Sequence, residues 1–267
     1  MSRIYFDSTP RKEAFRRIIQ AELMGEFKQL KYFREDLKKE ISYPLGKYQE
    51  ESWKRNETLE ETTIIVTEAD DFYTTLRIGT LPYVTCLFYN GGAYNDCLLA
   101  CFDSNKKVLL AKRGEEVVGR ASIRLTKGAF FDVGNQSQSL EFADLLAGET
   151  VKNDTEQKES LTIFLERPYI SRVNTGKAEQ IKRLFIRLIT RKAEALNALP
   201  VLALDYRESS KEEYREAGYY MYISKSKGGA QYLDSMSGDI SVSEEESYKK
   251  GTFMILKEKL RERTDLG

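Results

Sequence analysis

The chain has 267 residues, enough for one large or two small domains with a sizeable core. Lysine plus arginine number 42 and aspartate plus glutamate also 42, so net charge gives no case for nucleic acid or an anionic membrane as a partner. No histidine is present, which removes His-based metal sites, Ser-His-Asp and Cys-His catalysis, and any histidine base.

In an enzyme of this composition, carboxylates, tyrosines, backbone amides or a bound water must move protons. The cysteines, Cys86, Cys97 and Cys101, are odd in number and match no common zinc spacing, so neither a disulfide framework nor a metal is expected. No apolar run approaches the ~20 residues of a membrane span. The start, Met1-Ser2-Arg3-Ile4, lacks the apolar core of a secretory signal, so a cytoplasmic protein is expected, with no membrane partner.

In chain order, Phe15, Ile19, Leu23, Phe27, Leu30, Leu37 and Ile41 recur at helical spacing, which predicts a helix from Pro10 to Ile41. Its apolar stripe suits packing on its own domain or, alternatively, a homodimer or protein partner. Tyr43-Pro44-Leu45-Gly46 breaks it, and a polar stretch runs to Glu61. Strands are expected at Thr63–Thr67 and Phe72–Ile78, where β-branched and aromatic residues concentrate. Asp96 is placed to cap a short helix through Phe102. Cys97 and Cys101 share a face of it, with no cation beside them in sequence, as expected of ordinary buried thiols.

Val108–Ala111 and Val117–Leu125 flank Arg113-Gly114-Glu115-Glu116 and read as a hairpin. A helix is expected at Ser139–Leu146 and a loop from Val151 to Ser160. Leu161–Leu165 is an apolar run typical of a strand buried on both faces. A glycine-containing loop follows, then a helix from Ala178 to Asn197, and a buried strand at Val201–Leu204. Together these read as a right-handed βαβ unit. A short helix from Lys211 to Ala217 closing at Gly218, strands at Tyr219–Ser224 and Ala230–Leu233, an acidic loop over 237–250 and a helix from Phe253 to Arg263 complete the reading.

The loop before the helix at Ala178 is suited to an anion. Free N–H groups at a helix start carry partial positive charge, Gly176 permits close approach, and Arg172 and Lys177 add charge. The order of hairpin, buried strand, glycine loop, helix, buried strand, short helix and last strand pair resembles the GNAT acetyltransferase family. The resemblance runs over roughly 62–238 and is clearest from 107 to 238. Gly176-Lys177-Ala178 fits the end of that family's pyrophosphate loop, although Val173 stands at the leading position and Arg172 one residue early. Tyr214-Arg215-Glu216-Ala217-Gly218-Tyr219 is similar to the family's Tyr-x-x-x-Gly-Phe/Tyr segment.

The resemblance implies an α/β (α+β) fold, a GNAT-like mixed central sheet with flanking helices. It would have an N-terminal helical region at 1–60, an acyltransferase domain at 61–238, and a polar loop and C-terminal helix at 239–267. It implies an acetyl-CoA or other acyl-CoA cofactor held by Tyr169, Ile170, Ser171, Arg172, Val173, Asn174, Thr175, Gly176, Lys177 and Ala178. An amine acceptor would attack the thioester directly, with Tyr214 as acid and Glu166 as base. The alternative is a catalytically inactive GNAT-like module that contacts a protein or nucleic acid.

Overall fold

The computed structural model describes residues 9–61, 63–80, 87–88, 90–92, 95–131, 159–171, 176–210, 214–223 and 247–255. The N-terminal stretch folds as helices α1 (Thr9–Leu23), α2 (Phe27–Lys31), α3 (Arg34–Ile41) and α4 (Lys47–Lys54), not as one helix to Ile41. Gly25, at φ +72°, stops α1 because only glycine adopts that conformation without strain. The Glu26 amide donates to the Ala21 carbonyl and the Gly25 amide to Glu22, a Schellman closure. Phe33, with ψ 124°, separates α2 from α3.

Strands β1 (Thr58–Glu61) and β2 (Ile64–Ala69) follow, then α5 (Phe72–Arg77). The strand expected at Phe72–Ile78 is therefore a helix. The Asp71 carboxylate accepts from the Thr74 amide at 2.8 Å, and this cap outweighs the β-propensity of Phe72, Tyr73, Thr74 and Thr75. A 3-10 helix spans Asn95–Phe102, close to the short helix expected there.

The hairpin comprises β3 (Lys106–Arg113) and β4 (Glu116–Phe131) around Gly114 at φ +58°. Then come β5 (Glu159–Leu165), β6 (Tyr169–Ile170), α6 (Ala178–Leu196), β7 (Leu199–Leu202), a 3-10 turn at Leu204–Tyr206, α7 (Arg207–Ser210), β8 (Arg215–Ile223) and β9 (Ser247–Ile255). The helix expected at Lys211–Ala217 is corrected here, since Arg215–Ala217 begin β8 and Gly218 pairs in mid-strand with both Phe131 and Thr252. Sheet hydrogen bonds on both edges leave that backbone no helical alternative. The helix expected from Phe253 is likewise strand β9 as far as Ile255, and 247–250 belong to it rather than to a loop. The elements expected at Ser139–Leu146, Ala230–Leu233 and 256–263 lie outside the described residues.

The architecture is mixed α/β, with a curled mixed sheet in the order β1-β2-β3-β4-β5-β7-β9-β8. Among the described pairings only β5 and β7 run parallel, joined by α6 as crossover. Gly218–Met221 of β8 also pair with Phe131–Gly128 of β4, so the sheet curls back on itself. One face is covered by α3, α4 and α6. There Leu109, Ala121, Ile123, Leu125 and Leu165 pack against Leu184, Phe185, Leu188, Ile189 and Trp53. On the other face, Val108 and Leu110 lie under Cys97, Leu98 and Cys101. Phe27 meets Phe72 and Phe102 edge to face and Phe72 and Phe102 are tilted, with centroids 5.8–6.0 Å apart, joining α2, α5 and the 3-10 helix.

No helix among the described residues is long and apolar enough to cross a membrane.

Candidate functional site

Of the predicted site residues, Glu166, Tyr169 and Ile170 lie just past the end of β5. The parallel pairing stops at Leu165 and Leu202, where the Ala203 amide donates to the Leu165 carbonyl. Beyond that point the chain leaves β7 and follows β4 alone. The Glu166 amide bonds the Ser122 carbonyl, Tyr169 and Ile170 pair with Arg120 and Gly119, and the Ser171 amide bonds the Val118 carbonyl. Val118 is the extra residue of a β-bulge opposite Ala111–Lys112, which turns its carbonyl toward this segment.

Gly119 is required here by space. A Cβ at this position would lie 3.2 Å from Ile181 in the first turn of α6 and 3.5 Å from Ile170. Its absence lets strand, β6 and helix start meet at one point. Gly176 and Lys177 are exposed and lead into α6, whose N-terminus at Ala178 has no side-chain cap. Arg172, Val173, Asn174 and Thr175 lie outside the described residues. Tyr214, half-buried, stands just before β8 with its amide bonded to the Ser210 carbonyl. α7 is drawn to the start of α6 by the Ser209 hydroxyl, which donates to Glu179 at 2.5 Å. That hydrogen bond, followed by the influence of Lys182, holds the Glu179 carboxyl below its usual range.

Glu166 is buried, and its Oε1 accepts from Arg124 Nη2 at 3.1 Å and Nε at 3.3 Å. Two further contacts join the chain past Leu165 to the chain past Leu202. The Tyr206 hydroxyl donates to the Glu166 carbonyl at 3.1 Å, and Arg167 pairs with Asp205 at 3.2 Å. Burial, then Asp205 and Glu166, raise the Tyr206 phenol well above its usual range, so it remains a donor. Arg120, also buried, lies 4.3 Å from the Tyr169 ring centroid in a cation–π stack.

Sequence reasoning named Glu166, Tyr169 and the glycine loop as candidates and did not name Arg120, Arg124 or Tyr206, which the structure places against Tyr169 and Glu166. Arg120, Ser122 and Arg124 alternate with Ala121, Ile123 and Leu125, a pattern that ordinarily marks a solvent-facing strand surface. The 3-10 helix, together with Ile78 and Leu87, packs over that face and makes it interior. Cys97 and Cys101 are buried thiols outside any disulfide, as expected. Burial pushes the Cys101 thiol up to about 11, despite the opposing charges of Lys106 and Arg120.

A second polar cluster occupies the opposite face. Glu68 Oε2 accepts from Lys107 at 2.9 Å and from Lys192 at 3.1 Å, and both ammoniums lie over the Trp53 ring. Lys107 also donates to the Asn56 amide oxygen at 2.8 Å and the Arg55 carbonyl at 3.1 Å. The Asn56 amide donates in turn to Asp70, which also accepts from Lys28 and Tyr32. The network ties the N-terminal helices to the sheet and to α6.

Among the described residues no group of three Cys, Asp or Glu could hold a metal ion. A cavity of about 320 Å3 lies elsewhere, between Ile18, Phe27, Leu30, Leu99 and Phe102. No protein-family model and no curated protein matches the chain.

Proposed function

We propose that the chain is an acyl-CoA-dependent N-acyltransferase of GNAT type, transferring an acetyl group to an amine. The observation that carries this reading is the strand order. An antiparallel arm leads to one parallel pair, β5 and β7, bridged by a helix that begins at a glycine loop, and an antiparallel pair closes the sheet. The resemblance implies the hairpin, the buried strand, the helix after the glycine loop and the second buried strand in this order, but a short helix where β8 begins. The departure of the chain from β7 supports the reading further, because the described β5–β7 ladder ends at Leu165 and Leu202, where an extended pantetheine arm can pair.

In this reading the N–H groups at the start of α6 and Lys177 receive the pyrophosphate. A backbone amide of the segment after Leu165 polarises the thioester carbonyl. Tyr214 protonates the leaving thiolate, since a neutral phenol is a competent donor at pH 7. Glu166 acts as base through a bound water, with its carboxylate positioned by Arg124. Access requires Tyr206 to release the Glu166 carbonyl.

The test is thermal stabilisation by acetyl-CoA in the wild type and in Tyr206→Phe. Saturable stabilisation, stronger in Tyr206→Phe, with turnover lost in Tyr214→Phe, supports the reading. No shift in either protein at millimolar ligand would overturn it.

A non-catalytic partner-binding module is the second reading. It is favoured by Leu23 at 83%, Met24 at 61% and Phe33 at 54% exposure on the N-terminal helices. Acetyl-CoA binding without turnover in the wild type would select it.

A further inference from the structure

β3 and β4 place three cations on the face of the sheet beneath Cys101. Lys106 is the register partner of Arg124, so their side chains leave the same face, and Arg120 follows four residues along the same strand. Lys106 and Arg120 are 1% exposed and Arg124 is 2%. The carboxylates that face this group are Glu166, bound to Arg124, and Asp103, which with Lys106, Arg120 and Glu166 sets the field at the Cys101 thiol. The Lys106 Nζ is buried and has no hydrogen-bond acceptor among the described residues. An ammonium removed from water without an acceptor costs several kcal/mol, even after relaxation. Interiors rarely keep such a group unless something else supplies the acceptor.

We infer that Lys106, with Arg124 and Arg120 beside it, is a binding site for an oxyanion group, a phosphate or carboxylate carried by a small molecule. Lysine supplies a compact point charge with three donors, and the arginine forks add planar donors suited to the same oxygens. The inference does not depend on acyl transfer, and phosphate and acetyl-CoA are tested as separate ligands.

The probe is inorganic phosphate added to the full chain, compared with sodium chloride at equal ionic strength. At a concentration about ten times the dissociation constant, phosphate should raise the wild-type Tm by about 3–6 °C. Lys106→Met should melt higher than the wild type without phosphate, because it removes a buried charge that lacks an acceptor, and it should gain nothing from phosphate. Lys106→Arg should keep the gain. A general salting effect would move all three proteins alike. Phosphorus-31 line broadening provides a second readout, expected with the wild type and lost in Lys106→Gln. The inference is overturned by an equal phosphate gain in Lys106→Met, by no gain and no broadening in the wild type, or by a ligand-free Lys106→Met less stable than the wild type.

Discussion

Asp70 gives the sharpest test of the network between the N-terminal helices and the sheet. Its side chain is 1% exposed and accepts from Lys28, Tyr32 and Asn56. Burial alone would raise its carboxyl. The three hydrogen bonds and the charge of Lys107 outweigh burial and bring it from 3.8 down to about 2. That difference is worth about 2 kcal/mol of stability. A carboxyl lowered by folding contributes fully above its unfolded value and loses the contribution as pH falls through the folded one. Asp70→Asn mimics the protonated form, so it should cost about 2 kcal/mol at pH 7 in urea unfolding. The gap to the wild type should hold down to about pH 5, fall to roughly half at pH 3, and nearly close by pH 2. A gap that stays constant from pH 7 to pH 3 would refute the claim that charge, rather than shape, holds Asp70 in place.

Lys107 runs in the opposite direction. Burial first, and the Lys192 ammonium, bring it down from 10.5 to about 8 against the pull of Glu68. Stability from this group therefore climbs with pH, and the wild type should gain about 2 kcal/mol relative to Lys107→Met between pH 7.5 and 10. The comparison ends at pH 10 because Tyr32, raised first by burial and then by Asp70, contributes oppositely beyond it. Glu166→Gln strands the buried Arg124 charge and should cost about 3–5 kcal/mol by urea unfolding, most of it regained in the double variant Glu166→Gln, Arg124→Met. Gly119→Ala sets a Cβ 3.2 Å from fully buried Ile181 and should cost about 1–3 kcal/mol, with Ile181→Val restoring much of the loss in thermal melts.

The parts of the fold legible in the sequence are those where local signals and tertiary packing agree. The hairpin at Gly114, the apolar strand at Leu161–Leu165 and the amphipathic helix at Ala178–Leu196 each carry their own pattern, and each stands within a few residues of its expected place. The misreadings have identifiable causes. Phe72–Arg77 is rich in β-formers, yet one carboxylate at Asp71 suffices to start a helix. Arg215–Gly218 resembles a helix end, yet β8 is held by strands on both edges whose partners lie at 128–131 and 252–255. Pairing at that separation leaves no local trace in the sequence. The candidate site was legible along the chain, in Glu166 and the glycine loop, and illegible across the sheet, in Arg124 and Tyr206.

Lys106 and Lys107 show why neighbours in sequence need not share a role. A strand sends adjacent side chains to opposite faces, so two consecutive lysines enter two separate interiors. Lys107 meets Glu68, Asn56, the Arg55 carbonyl and the Trp53 ring, a set that satisfies its donors from three surrounding elements. A lysine held that way is a structural tie, and its removal should cost stability at neutral pH less than the loss of Glu68, which would leave two ammoniums stranded. Lys106 is as deeply buried, and its ammonium meets no acceptor among the described residues. Equal burial with unequal satisfaction separates a charge that the fold uses from a charge that the fold holds ready for something else.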